Sequence, residues 1–214
     1  MSPSARWQGH QRRIGLTGGI ATGKSSVGRH LAALGLPVLD ADRFAHEALA
    51  PGSNGEAAVL KRYGARVAAP SDTAIRDQKS NSRINRKALG SIVFNAPHER
   101  EWLEQLVHPY VRAQFDEALV QLNDEPTVVL MIPLLFEANL TGLCSEVWVV
   151  HCKPEQQIQR LQQRDGLDEA AARARIDAQW PIEQKQELAD QRIDNSGDAG
   201  RWQEQIQRLL KGPL

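Results

Sequence analysis

The sequence predicts an α/β fold in which a parallel sheet of about five strands is flanked by helices. Two observations predict it: short apolar runs end at glycine-rich or acidic segments, and stretches with helical periodicity follow several of them. Strands that alternate with helices pair in parallel because a right-handed crossover joins them. The runs expected to form strands are 13–17, 36–39, 127–132, 146–151 and 192–194.

Composition narrows the possible functions before any motif is considered. The 214-residue chain has 26 basic and 26 acidic side chains, so no overall field attracts nucleic acid or an anionic membrane. No segment is apolar enough for a signal peptide or a membrane span, and residues 1–12 are expected to form a flexible tail. Cys144 and Cys152 lack the spacing of a zinc site and indicate reduced thiols in a cytoplasmic protein.

The most informative segment follows the first strand. Residues 18–25 match G-x-x-x-x-G-K-[ST] in full, between an apolar run and an amphipathic stretch. Such a loop turns its amides towards phosphate, while Lys24 reaches the β and γ phosphates and Ser25 reaches Mg²⁺. A chance glycine-rich turn is the alternative, but the length of the match favours binding of a nucleoside triphosphate. The expected ATP-binding residues of the loop are Gly18, Gly19, Ile20, Ala21, Thr22, Gly23, Lys24, Ser25 and Ser26.

Helical periodicity dominates the interval 43–122, which is expected to be an inserted helical domain without a buried strand. Its polar part, 70–83, is expected to be a flexible loop. A helix starts near Pro97, and Pro109 predicts either a kink or two helices that meet at His108. Elsewhere, helices are predicted after the phosphate loop up to Gly35, from Pro154 to Arg164, from a cap at Asp168 to Gln179, and from Trp202 to Leu210.

Two carboxylates, Asp40 and Asp42, follow the second strand. Ligands of open α/β sheets bind at the carboxyl edge of the sheet, where this strand ends. A phosphoryl transferase needs a carboxylate that accepts the proton of the attacking hydroxyl, and a second one can hold a metal-bound water or pair with Lys24. The alternative role of Asp42 is to cap the helix that begins at Arg43, which is compatible with catalysis.

Arginines cluster in two adjacent predicted helices. Arg160 and Arg164 are four residues apart and share a helical face, and Arg173 and Arg175 follow in the next helix. Guanidinium groups on a closing segment stabilise the charge of a transferring phosphoryl group. Spacing alone is equally consistent with solvated arginines that pair with neighbouring acids.

Three further segments leave alternatives open. Residues 195–197 follow the last strand and are typical of a turn, although such a loop can also contact a purine ring. His108 fits the end of a helix as well as a binding role. The segment 133–137 also fits two roles: a binding role, or a helix N-terminus that its acidic residue favours.

The motifs separate several classes of nucleotide-binding protein. A regulatory GTPase needs an N-K-x-D segment that reads the base, which is missing, and a nucleic-acid-dependent ATPase needs an acid that closes the strand 127–132, which runs into Pro133 instead. A small-molecule kinase needs a phosphate loop, an acid by the acceptor, a helical insertion and an arginine-rich lid, and all four occur in order. An ATP-binding regulatory module without turnover is the alternative from another class.

The order of the motifs resembles the dephospho-coenzyme A kinase family over about 13–210. The most specific parts are the Thr-Gly-Gly-Ile opening of the phosphate loop and the Asp-Ala-Asp segment at 40–42. The chain departs from the family at 69–85, which is longer and lacks an Asp-Gly turn. The other matching segments are 106–109, 133–137, 163–165 and 193–197.

The resemblance implies a P-loop kinase fold and ATP-dependent phosphorylation of the ribose 3′-hydroxyl of dephospho-CoA, the last step of coenzyme A synthesis. It implies that Asp42 is the general base, that Lys24 and Arg164 are the other catalytic residues, and that Ser25 holds Mg²⁺. We also expect Arg160 and Asn195 to contact ATP. The expected acceptor-binding residues are Asp40, Asp42, His108, Pro133 and Leu134. A kinase for another nucleoside or nucleotide is the nearest alternative.

The implied organisation is a nucleotide-binding core, 13–42 with 123–214, that carries a lid at about 160–180. The interval 43–122 is the acceptor-binding insertion. ATP and dephospho-CoA are the expected partners, without nucleic acid or membrane. The protein is expected to be a cytoplasmic monomer or weak oligomer.

Overall fold

The structure, a computed structural model, describes residues 6–69 and 83–211. It divides into two compact units. One consists of Met1–Ala41 with Val120–Leu214 and holds the sheet, and the other is the helical unit Asp42–Leu119. Throughout the two described ranges, no helix is both long and apolar enough to cross a membrane.

The sheet has five strands: β1 (Arg12–Gly18), β2 (Val38–Asp40), β3 (Thr127–Met131), β4 (Glu146–His151) and β5 (Gln191–Asp194). Their order is β2-β3-β1-β4-β5, and every neighbouring pair is parallel. The central strand β1 therefore delivers the phosphate loop to the middle of the carboxyl edge. The predicted parallel sheet is confirmed, and each predicted strand overlaps an observed one.

The helices of the described residues are α1 (Lys24–Ala33), α2 (Ala41–Ala48), α3 (Asn54–Tyr63), α4 (Arg86–Asn95), α5 (Pro97–Gln121), α6 (Pro154–Asp165), α7 (Glu169–Asp177), α8 (Ile182–Glu187) and α9 (Ala199–Lys211). The Asp168 carboxylate caps α7 as predicted, accepting a hydrogen bond from the Ala171 amide at 2.7 Å. The sequence does not predict α8, because six residues are too few for an apolar face to recur.

The core of the sheet unit fixes the helix that follows the phosphate loop. Gly28 lets α1 approach β3 closely, since a Cβ at this position would lie 2.7 Å from the Sδ of Met131. Side chains of the strands pack there against α1 and α9, and burial of each large apolar side chain stabilises the fold by roughly 1.5–3 kcal/mol. The cluster contains Ile14, Leu16, Val27, Leu31, Val129, Met131, Trp148, Val150, Ile193, Trp202 and Ile206.

Residues 6–12 are not a flexible tail, so that part of the prediction is wrong. The Gln11 side chain is 1% exposed, and its Nε2 donates hydrogen bonds to the carbonyls of Leu122 and Glu125 at 2.6 and 3.0 Å. A polar residue gave no sign of this burial in the sequence, because the hydrogen bonds that make it favourable are formed with distant backbone. Residues 1–5 lie outside the described part of the chain.

In the helical unit, α5 is one continuous helix of 25 residues that contains Pro109. The alternative of two helices that meet at His108 is therefore wrong. An edge-to-face contact joins Phe44 of α2 to Phe115 of α5, with ring centres 5.2 Å apart. The buried residues of α5 share one face at every fourth position: Val107, Val111, Phe115 and Leu119.

The helical unit contains a buried carboxylate, that of Glu56. It accepts hydrogen bonds from the amide of Gly52 and from the amide and guanidinium of Arg83, each at 2.9 Å. Burial raises the pKa of Glu56, but these hydrogen bonds outweigh it and hold the pKa below its usual 4.5. Apart from Arg83, the predicted loop over 70–83 lies outside the described residues.

Candidate nucleotide-binding and catalytic site

The phosphate loop joins β1 to α1. Gly23, which precedes α1, has a φ of 98°, and a Cβ there would overlap the side-chain amide of Asn195. Among the described residues, no side chain caps α1 and no acid lies in its first turn. The N-terminus of a helix carries a partial positive charge that attracts anions. Lys24, half-buried, and Ser25, exposed, are the first residues of the helix.

Arg160 and Asn195, both expected to contact ATP, bind the carbonyl groups of the loop. The Asn195 Nδ2 donates to the Thr22 carbonyl at 2.8 Å. The Arg160 Nη1 donates to the carbonyls of Ala21 and Thr22 at 3.4 and 3.3 Å, and its Nη2 donates to the Asn195 carbonyl at 3.1 Å. Because these carbonyls are held from α6 and from the segment after β5, the loop is fixed in a conformation that a free glycine-rich segment would not keep.

Two glutamines that the sequence analysis missed contact the loop at Ile20. The Gln157 Nε2 of α6 donates to the Ile20 carbonyl at 2.6 Å, and Gln157 is 4% exposed. The Ile20 amide donates to the Gln179 Oε1 at 2.8 Å, just beyond the end of α7. Glutamine on a polar helix resembles any solvated residue in sequence, so no signal identified either contact.

In the expected lid, two arginines donate hydrogen bonds to one carboxylate. The Arg164 Nε and Nη2 donate to the two oxygens of Asp165 at 2.8 and 2.9 Å, and the Arg175 Nη1 donates to the Oδ2 of Asp165 at 2.7 Å. The hydrogen bonds from Arg164 hold the pKa of Asp165 below its usual range, against the opposing effect of burial. Arg173 instead bonds Glu169 on its own helix at 2.7 Å. The structure therefore brings Arg164 and Arg175 together and leaves Arg173 apart.

The two aspartates belong to different units, Asp40 to the sheet unit and Asp42 to the helical unit. Asp40 is the last residue of β2 and pairs in register with Met131 of β3, so it lies at the carboxyl edge of the sheet. Asp42 is exposed in the first turn of α2. Because α2 begins at Ala41, Asp42 is not its N-cap, and the capping alternative is wrong.

The segment after β3 is joined to β1 at the same edge. The Thr17 hydroxyl of β1 donates to the Pro133 carbonyl at 3.0 Å, and Thr17 is buried. Pro133 and Leu134 are half-buried. The remaining expected acceptor residue, His108, is exposed on α5 in the helical unit.

A buried ion pair ties the same segment to α8. The Lys185 Nζ lies 2.6 Å from the Oε1 of Glu137, and the Lys185 side chain has no exposed surface. The same Oε1 accepts the Trp180 amide at 3.2 Å, and the Trp180 ring stacks on Phe136 with centres 6.4 Å apart. The turn between α7 and α8 is therefore held against the segment after β3. The sequence carries no signal for the burial of Lys185, because a buried lysine is uncommon.

Comparison with known proteins connects this geometry to one group of enzymes. The CoaE family model, described as dephospho-CoA kinase, matches residues 12–200. A dephospho-CoA kinase of Synechococcus sp. (strain CC9605) is 59% identical over 201 residues, which cover 94% of this chain and 93% of the relative. One of Prochlorococcus marinus (strain MIT 9313) is 56% identical over 208 residues, which cover 97% and 99%.

Two solved structures are also similar to this chain. The crystal structure of TT1252 from Thermus thermophilus matches with a TM-score of 0.76 and 33% identity, over 94% of this chain and 97% of that one. The dephospho-CoA kinase from Campylobacter jejuni matches with a TM-score of 0.64 and 29% identity, over 93% and 95%. Both matches extend over the sheet unit and the helical unit.

Proposed function

The chain belongs to the dephospho-CoA kinase family, and we propose that it transfers the γ-phosphoryl group of ATP to the ribose 3′-hydroxyl of dephospho-CoA. The observation that carries the proposal is the phosphate loop at the centre of the carboxyl edge, in a chain that the family model matches over 12–200. The products are ADP and coenzyme A.

The phosphates of ATP bind at the N-terminus of α1. The loop amides and the dipole of α1 attract the β and γ phosphates, and Lys24 adds a mobile positive charge. Arg160 and Asn195 remain proposed ATP contacts, and their hydrogen bonds to loop carbonyls also support the loop. Gly18–Ser26 remain the proposed binding segment.

The donor set of the loop fits Mg²⁺ rather than a metal that needs a protein cage. The described residues contain no group of three or more His, Cys, Asp or Glu side chains that could hold a metal. Mg²⁺ usually keeps several waters and needs few protein ligands besides substrate phosphates, so the Ser25 hydroxyl would hold it. When bound, the ion neutralises phosphate charge.

Transfer follows an in-line path. A bond forms between the acceptor oxygen and the γ-phosphorus, and the bond from that phosphorus to the β–γ bridging oxygen breaks. Asp42 takes the proton of the 3′-hydroxyl, while Lys24 and Arg164 stabilise the charge on the transferring group and on ADP. The exposure of the Asp42 carboxylate, in the first turn of α2, supports this role.

The acceptor is proposed to bind through the helical insertion and the edge of the sheet. Its contacts are Asp40, Pro133 and Leu134 from the sheet unit and His108 from α5. We propose a cytoplasmic monomer or weak oligomer that acts on small molecules, without nucleic acid or membrane. The two cysteines are unpaired and buried, which fits a reducing compartment.

A coupled assay of ADP release tests the function. The purified chain is given MgATP and one acceptor per reaction, which is either dephospho-CoA or another nucleoside or nucleotide. We expect turnover with dephospho-CoA to exceed turnover with every other acceptor. Preference for another acceptor would identify a different kinase, and tight ATP binding without any product would identify a regulatory module.

A further inference from the structure

We propose that Gln157 and Gln179 are positioning residues that hold the phosphate loop in the shape that ATP requires. This role rests on the proposed function and adds to it two side chains that act through the loop and not on the substrate. Both glutamines contact Ile20, the third residue of the motif, and neither belongs to the motif itself.

The two glutamines fix the peptide groups on both sides of Ile20. The Gln179 Oε1 accepts the Ile20 amide at 2.8 Å, and the Gln157 Nε2 donates to the Ile20 carbonyl at 2.6 Å. Each side-chain amide is oriented by its partner, because only its oxygen accepts from an N–H and only its nitrogen donates to a carbonyl. With both peptide groups held, neither backbone dihedral angle of Ile20 rotates freely.

The side chain of Ile20 is anchored to the same part of the chain, since it packs against an apolar cluster from α6 and α7. A Cβ at Gly19 would lie only 2.9 Å from the Gln157 Nε2, so α6 approaches the loop closely. Gln157 is 4% exposed, and water therefore does not readily replace its hydrogen bond. The buried members of the cluster are Ile158, Leu161 and Ala172.

Ala21 needs this support because its backbone is left-handed. Its φ is 58°, which a residue with a Cβ adopts only at a cost in free energy. Gln157 holds the peptide group that enters Ala21, and Arg160 holds the one that leaves it, with its Nη1 3.4 Å from the Ala21 carbonyl. Without the contact from Gln157, we expect the turn to relax and to direct the following amides away from the phosphates.

The kinetic effect of such support is specific. A loop that already has its binding conformation takes up ATP without first losing conformational entropy. The gain is the same for bound ATP and for the transition state, because the loop holds the phosphates throughout the transfer. Loss of an interaction of this kind raises KM for ATP and leaves kcat at saturation unchanged. A group that acted directly on the transferring phosphoryl group would instead lower kcat.

The experiment measures the Kd of MgATP by calorimetry without acceptor, and the kinetics of ADP release with dephospho-CoA, for Gln157→Leu and Gln179→Leu. Leucine is close to glutamine in size but forms no hydrogen bond. Each variant should raise the Kd and KM for ATP by roughly tenfold, as expected for a lost hydrogen bond, with kcat at saturation within about threefold. Gln162 is exposed on the same helix α6, and the control Gln162→Leu should leave all three values unchanged.

Substitution of Ala21 tests the physical cause. Glycine adopts a φ of 58° without the cost that a Cβ brings, so the variant Ala21→Gly needs less support from Gln157. Gln157→Leu should therefore raise the Kd of MgATP by about threefold less in the Ala21→Gly background than in the unmodified protein. A defect elsewhere in the protein would have equal effects in the two backgrounds. If Gln157→Leu fails to fold, Gln179→Leu decides the question, because Gln179 is only half-buried.

A Kd within twofold of the unmodified value in a folded Gln157→Leu or Gln179→Leu variant would overturn the proposed role. A fall in kcat at an unchanged KM for ATP would also overturn it, and so would equal effects of Gln157→Leu in the two backgrounds. Failure of the proposed function gives a different result, since the unmodified protein would then not convert dephospho-CoA, while calorimetry would still compare the affinities for ATP.

Discussion

Loss of the Lys185 ammonium group should destabilise the protein more than loss of any surface ion pair. Lys185 is fully buried 2.6 Å from Glu137, whose side chain is 17% exposed. The variant Lys185→Met keeps the apolar stem and leaves the carboxylate without its cation. Removal of one partner of a buried pair costs roughly 3–5 kcal/mol, and the partial exposure of Glu137 favours the lower end of that range.

The expected loss of stability is large enough to measure in a simple unfolding assay. For a domain of this size, each kcal/mol lowers Tm by roughly 2–4 °C, so Lys185→Met should lower it by about 6–12 °C. Urea titrations followed by tryptophan fluorescence measure the same loss as a shift of the midpoint. The double variant with Glu137→Gln should recover part of the loss, because the uncompensated charge is then removed as well.

Arg208→Met supplies the matched control. Arg208 also pairs with a glutamate, Glu204, at 3.5 Å, but both side chains are more than 70% exposed. Such a pair contributes less than about 1 kcal/mol. An equal shift of the urea midpoint in Lys185→Met and Arg208→Met would contradict a stabilising buried pair. A double variant less stable than Lys185→Met alone would contradict it as well.

Three more outcomes are expected. Gly23→Ala should abolish ATP binding in calorimetry, because its Cβ would overlap the Asn195 amide at a φ of 98°; retention of ATP affinity would contradict the loop geometry. Asp42→Asn should lower kcat by roughly 10²- to 10⁴-fold while ATP still binds, and near-full turnover would remove Asp42 as the base. Hydrogen bonds from Arg62 and then Tyr63 lower the pKa of Glu99 from 4.5 to about 2, so its contribution to stability is present above pH 4.5 and is lost as the pH falls towards 2. The urea midpoint of Glu99→Gln should therefore fall less over that range than the midpoint of the unmodified protein.

The regular elements of the fold are predictable because their signals are local. The run 127–132 is apolar throughout, which is typical of a strand covered on both faces, and it forms β3. Asp168 caps α7 because its carboxylate reaches an amide three residues ahead. The end of a helix at Gly35, whose φ is 90°, follows from the same kind of short-range rule.

The parts that the sequence does not predict depend on contacts between distant residues. Gln11 meets backbone more than a hundred positions away, and Gln157 and Gln179 meet Ile20 across 137 and 159 positions. An amide side chain carries no pattern that reveals such a partner, because glutamine is equally compatible with a solvent-exposed position. The burial of Lys185 also depends on a distant partner, because burial of its charged group is favourable only when Glu137 pairs with it.

The phosphate loop depends both on its local sequence motif and on contacts with distant residues. Its motif identifies the ligand because eight consecutive residues carry the chemistry, but the motif does not by itself hold the loop in shape. Thr22 is held by Asn195 and Arg160 through its carbonyl, and the requirement for glycine at position 23 comes partly from the Asn195 amide that fills the space of a Cβ. The affinity for nucleotide should therefore depend on α6 and on the segment after β5 as much as on the loop. This dependence gives a physical reason why an isolated segment with the same motif would bind phosphate poorly: the free chain must lose its conformational entropy before its amides converge.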